Sequence, residues 1–165
     1  MERQLFSLKE FMFVITRRIQ VNAPIDEVWD FFSKPSNLSK ITPKEMNFEI
    51  VTGSAKETYS GQIICYKVSL LPLVRVKWVT LISECIEKSF FVDEQKFGPY
   101  RFWHHQHHFK DLGNGKTEMT DIVHYKLPLL PFSSLMNKLF ISKKLNQIFD
   151  YRTKVVSEVF GTEEA

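Results

Sequence analysis

The spacing of apolar positions changes period along the chain, and each change predicts a different element. Residues 11–21 alternate loosely and are rich in Phe, Val and Ile, which predicts a strand. Pro24 then stands in the favoured first position of a helix. Asp26 and Glu27 follow in the first turn, where the helix dipole favours acids, and Val28, Trp29, Phe31 and Phe32 supply the apolar side. Pro35 ends this helix, and Ser36 to Ile41 predict a further turn or two before Pro43. Strand-like runs succeed one another at about 46–52, 61–70, 74–83, 87–96, 101–110 and 117–126. Between them lie Thr52-Gly53-Ser54, Ser60-Gly61, Pro72, Gly98-Pro99 and Gly113-Asn114-Gly115. Links this short imply antiparallel neighbours in a meander.

After Leu127-Pro128-Leu129-Leu130-Pro131 the period becomes helical. Leu135, Met136, Leu139, Phe140, Leu145, Ile148, Phe149, Val156, Val159 and Phe160 predict one helix over about 133–160. It would be some 40 Å long at 1.5 Å per residue. Its polar side carries Lys138, Lys143, Lys144 and Lys154. The expected fold is α+β, in one domain spanning 1–165. A seven-stranded antiparallel sheet wraps around the long C-terminal helix, with two short helices between strands 1 and 2. A sheet cannot close fully around so long a helix, so a cavity between them is expected.

Composition narrows the function. The chain has 165 residues, 44% hydrophobic and 25% charged, which is globular. Fifteen Phe suit the lining of a cavity as well as a packed core. A net charge of +3, with no basic run, argues against nucleic acid as a partner. Cys65 and Cys85 lack metal-ligand spacing and read as buried thiols of a reducing compartment. Phe11 to Ile15 is too short for the core of a signal peptide, and no window approaches the roughly 20 apolar residues of a membrane span. A cytoplasmic protein without stable membrane insertion is expected. Nothing in the pattern points to an oligomeric state.

The densest chemistry lies in residues 97–109, which hold four of the five histidines. On a strand, side chains alternate between faces. One face carries Trp103, His105, His107 and Phe109; the other carries Phe102, His104, Gln106 and His108. If Gly113-Asn114-Gly115 closes a hairpin, His107 stands opposite Asp121, Phe109 opposite Met119, and Trp103 opposite Tyr125. A turn centred on Pro99 would set Asp93, which shares a face with Phe91, opposite His105. A carboxylate on the inward face needs a partner, because an unpaired buried charge is strongly disfavoured. The candidate site is therefore His105, His107, Asp121 and Asp93, framed by Trp78, Phe91, Trp103, Phe109, Met119 and Tyr125. His105-x-His107 with Asp121 also imitates a two-histidine, one-carboxylate metal triad. No Gly-x-Ser-x-Gly elbow, P-loop or Gly-x-Gly-x-x-Gly is present.

The run from Ala23 through Pro24, Ile25, Asp26, Glu27, Val28, Trp29, Asp30 and Phe31 to Phe32, the six following strands and the final helix resemble the helix-grip fold of the SRPBCC superfamily. That superfamily unites START-related, pollen-allergen-like and polyketide-cyclase-like proteins. Asn37-Leu38, Ile41-Thr42-Pro43, Gly98-Pro99-Tyr100, Trp103-x-His105-x-His107-x-Phe109, Asp121, Tyr125-x-x-Pro128 and Ile148-Phe149-Asp150-Tyr151-Arg152 are similar to a bacterial branch described as cyclase/dehydrase-like. The resemblance implies no metal and no cofactor. Two functions fit. In the first, a small, largely hydrophobic molecule or lipid binds between sheet and helix, its polar end oriented by the histidines and Asp121. In the second, a cyclase or dehydratase acts on a carbonyl compound in the same cavity. The apolar loop 127–132, near Lys138, Lys143 and Lys144, is a candidate lip for exchanging a lipid with a membrane.

Overall fold

The computed structural model describes residues 12–53, 57–71, 74–128 and 140–162. Strand β1 is Phe13–Val21, helix α1 Ile25–Phe32, and two 3-10 turns follow at Pro35–Ser39 and Lys44–Met46. Strands β2 (Glu49–Thr52), β3 (Ile63–Leu71), β4 (Val74–Ile86), β5 (Phe90–Phe97), β6 (Phe102–Gly113) and β7 (Lys116–Lys126) come next, then helix α2 at Ser142–Phe160. The expected loop 129–132 and the expected first turns of the last helix, 133–139, lie outside the described residues.

All seven strands form one antiparallel sheet in the order β1-β7-β6-β5-β4-β3-β2. The meander runs from β2 to β7, and β1 returns beside β7. Pro24 is the cap of α1 rather than its first residue; its carbonyl accepts from the Glu27 and Val28 amides at 3.1 and 3.2 Å. The second expected helix is only a 3-10 turn, Pro35–Ser39. Strand β4 runs to Ile86, three residues beyond expectation, because register shifts at Val79/Thr80 and Ile82/Glu84 absorb extra residues. Such bulges bend a strand and help the sheet curve.

On β7 the burial alternates strictly. Thr117, Met119, Asp121, Val123 and Tyr125 are buried, and the residues between them are half-covered. The buried side of α2 is Leu145, Phe149, Arg152 and Val156. Leu145 and Phe149 pack with Ile15, Val123 and Tyr125. Val156 joins Trp29, Phe32, Phe91 and Phe109 where α1 closes one end of the sheet. Trp29 meets Phe109 edge-on at 5.3 Å.

Gly53 shows how tightly the edge is built. Its φ is +86°, and a Cβ there would lie 2.2 Å from the Ile63 carbonyl oxygen. Gly53→Ala is expected to lower the unfolding free energy by roughly 1–3 kcal/mol through backbone strain alone, read as a fall in the urea midpoint; an unchanged midpoint would contradict the tight β2–β3 edge.

Candidate functional site

The site is assembled by strand register. His107 pairs with Asp121, Phe109 with Met119 and Trp103 with Tyr125, as the hairpin arithmetic requires. The loop itself is shorter than three residues: Gly113 pairs with Lys116, and a shift between Asp111 and Gly113 restores the expected register. Asn114 and its flanking glycines all adopt positive φ. Across β5, Asp93 pairs with His105. The two histidines are thus held between one carboxylate on each neighbouring strand.

The geometry is a closed square. Asp93 Oδ2 lies 2.9 Å from His107 Nε2 and 3.2 Å from His105 Nδ1. Asp121 Oδ1 lies 2.9 Å from both His105 Nε2 and His107 Nδ1. The His107 Nδ1 approach is off the line of a hydrogen bond, which leaves that buried nitrogen without one. The ring centroids stand 3.7 Å apart. Phe91 stacks on His107 at 4.2 Å, and Phe149 meets His105 edge-on at 5.7 Å. Trp103 Nε1 donates to Asp93 Oδ1 at 3.2 Å, and Arg152 reaches Asp121 Oδ1 at 3.4 Å. His105, His107, Asp121 and Arg152 are buried; Asp93 is the most open member.

Burial opposes every charge in this square, and the neighbours overcome it. Burial alone would raise both carboxyls. His105's charge and hydrogen bonds from both histidines hold Asp93 well below the ordinary range. Arg152's charge and the hydrogen bond from His105 do so for Asp121. Burial alone would lower His105, but Asp93's charge and the bonds to both acids raise it. The two carboxylates thus face Arg152 and an imidazole, His105, whose cationic form they favour. The acids' stabilisation is complete above their unfolded pKa of about 3.9 and is lost as pH falls through their lower folded values. That of His105 is present below about 6.5 and is lost as pH rises through its raised folded value. The urea midpoint is therefore expected to peak between these limits. Asp121→Asn is expected to flatten the acid side, and a variant with the wild-type acid limb would contradict this assignment.

A cavity of about 170 Å³ lies between the sheet and α2. Trp78, Phe91, Asp93, Trp103, His105 and His107 line it. Phe109, Met119, Asp121 and Tyr125 share the inward face but are not among the lining residues. Tyr66, Val68, Tyr100, Leu145, Ile148 and Arg152 complete the wall without having been singled out as site residues. Burial pushes the Tyr66 and Tyr100 phenols well up, so both are neutral. The missed residue with most chemical weight is Arg152. Its signal was a cation at the helical spacing of Leu145, Phe149 and Val156, inside the apolar stripe.

Of the two carboxylates the sequence brought to these histidines, Asp93 meets them on the cavity side and Asp121 lies behind them, off the cavity wall. Single donor atoms from Asp93, His105 and His107 all lie within 4.8 Å of one another. His104 and His108 turn to the outer face, where Gln106 bridges them at 3.1 and 2.9 Å. Cys65 and Cys85 are free and half-buried rather than fully buried, and burial raises the Cys85 thiol.

No protein-family model and no curated protein matches the chain. Solved structures do. A START superfamily protein from Mycobacterium smegmatis is 11% identical, covering 88% of this chain and 98% of its own, with a TM-score of 0.66. The ZhuI aromatase/cyclase from a Streptomyces species is 13% identical over 90% and 96%, also at 0.66. Norcoclaurine synthase from Thalictrum flavum, in complex with dopamine and hydroxybenzaldehyde, is 16% identical over 100% and 96%, at 0.62. The chain shares the fold of these structures, a helix-grip arrangement of a seven-stranded antiparallel sheet around a long C-terminal helix. Among the described residues, no helix is long and apolar enough to cross a membrane.

Proposed function

We propose that this chain binds a small, largely apolar molecule between the sheet and α2, with its polar end against Asp93, His105 and His107. The observation that carries this is a hollow of about 170 Å³ whose wall is mostly aromatic and aliphatic, with Asp93, His105, His107 and Arg152 as its cluster of charged and titratable groups and Lys34, Asn37, Thr42, Thr58 and Thr80 as its other polar members. A packed core has few voids larger than a water molecule, and an apolar cavity of about 150 Å³ takes up benzene. The volume therefore suits one substituted ring better than a long acyl chain. Trp78 Nε1 is buried without a hydrogen-bond partner, and Trp78 lines the hollow. An acceptor on the bound molecule would relieve that deficit, which costs about 1–3 kcal/mol.

The test is quenching of tryptophan fluorescence, since Trp78 and Trp103 both line the cavity. Saturable quenching is expected with 4-hydroxybenzaldehyde and, more weakly, with toluene. Asp93→Asn is expected to weaken the first by about tenfold or more, the worth of a hydrogen bond to a charged group, and to leave the second unchanged. Non-saturable quenching by both would exclude the binding reading.

A cyclase or dehydratase activity is favoured by one observation: His105, whose cationic form its two acid neighbours favour against burial, stands at the cavity wall, backed by Asp121. Such an imidazolium would protonate a departing hydroxyl while a base removes the α-proton, releasing one water from a β-hydroxy carbonyl compound. Two of the solved structures with this fold are named as an aromatase/cyclase and a synthase. Mass-spectrometric loss of water from such a compound, absent with His105→Gln, would establish it; binding without turnover would leave the binding role alone.

A further inference from the structure

We propose that Asp93, His105 and His107 form a site for one divalent first-row transition-metal ion, open on its free side to the cavity. The inference is independent of the apolar ligand, which could bind with or without the ion.

Three observations converge. First, the donor set is two imidazoles and one carboxylate, which suits zinc(II) with three protein ligands and also non-haem iron(II). Second, the spacing fits. Asp93 Oδ2 is 3.2 Å from His105 Nδ1 and 2.9 Å from His107 Nε2. Two ligands of a tetrahedral ion, each bonded at about 2.0–2.1 Å, stand roughly 3.3 Å apart. Both separations fall just short of that value, and all three donors lie within 4.8 Å of one another.

Third, the supporting groups are already in place. Metal-bound histidines characteristically donate their other ring N–H to a carboxylate, which fixes tautomer and orientation. His105 Nε2, the far nitrogen of one ring, is hydrogen-bonded to Asp121 Oδ1 at 2.9 Å; His107 Nδ1 stands at the same distance from that oxygen but off the line of a hydrogen bond. Arg152 holds Asp121 from α2 at 3.4 Å. Asp93 Oδ1 is held by the Trp103 indole at 3.2 Å, which leaves Oδ2 turned to the imidazoles. All three ligands line the cavity, so a fourth position can meet a bound molecule.

The test is a titration of chelator-treated, full-length protein with cobalt(II). One equivalent is expected to bind and to give visible d–d bands, and zinc(II) is expected to displace it. Asp121→Asn is expected to weaken binding by 10–100-fold, as loss of a carboxylate behind the ligands does. Asp93→Asn and His107→Ala are expected to abolish the bands. The double substitution His104→Ala with His108→Ala, on the outer face, is expected to preserve them. Metal analysis of protein purified without chelators then separates zinc from iron. Wild-type protein that gives no bands with excess cobalt(II) overturns the proposal, whether or not the variants fold. So do bands that survive Asp93→Asn unchanged, or that vanish with the outer-face pair.

Discussion

Asp121→Ala is expected to lower the unfolding free energy by about 3–5 kcal/mol, the cost of stranding a buried charge. Asp121 is the group on which both histidines and Arg152 converge. Removing it takes away the acid that the buried Arg152 guanidinium reaches from α2, and its Nε already lacks a hydrogen bond. The loss comes from the abandoned partner more than from the vanished attraction. Arg152→Met in the same chain should therefore recover much of it, because an apolar replacement of a buried pair is often neutral or better. Urea unfolding of the two single variants and the double variant gives the coupling. Additive losses would mean that Arg152 and Asp121 act separately, against the square described above.

Val68→Phe is expected to weaken binding of 4-hydroxybenzaldehyde by at least tenfold, or about 1.4 kcal/mol, while the fold survives. Val68 is buried on β3 and lines the cavity, in the same sheet as the charged patch's strands β5 and β6. A larger side chain elsewhere in a packed core costs about 1–3 kcal/mol in strain. Here the ring has a hollow to enter, so stability should change by no more than about 1 kcal/mol and may be judged by the urea midpoint. A variant that binds the probe as well as wild type would place the ligand somewhere other than this cavity.

The contrast between Val68 and Val123 shows what the sequence could and could not say. Strand alternation put Val123, Asp121 and Tyr125 on the inward face, and they are inward and buried. Alternation assigns a face but not what lies above it. Ile15, Leu145 and Phe149 pack directly on Val123, so that part of the interior is solid. The hollow lies further along the sheet, toward β3 and β4, where Val68 and Trp78 stand. Its position depends on where α2 crosses, which is a tertiary matter.

The charged patch was legible for a stricter reason. Antiparallel register is arithmetic once a turn is placed, and Gly113-Asn114-Gly115 and Gly98-Pro99 placed two of them. His107 opposite Asp121 and Asp93 opposite His105 followed. Arg152 did not, because no local rule links a helix residue to a strand more than 30 positions away. The length of the second short helix was also missed. Pro35 and Pro43 bracket too few residues for a stable α-helix, and a 3-10 turn uses them instead.

The most direct measurement is native mass spectrometry of the wild-type chain purified from its own cells, beside Val68→Phe prepared identically. One small molecule per wild-type chain, of a mass suited to a single substituted ring and missing from the variant, is the predicted result. Wild-type chains that carry nothing, or that carry the same molecule as the plugged variant, would contradict a ligand held between the sheet and α2.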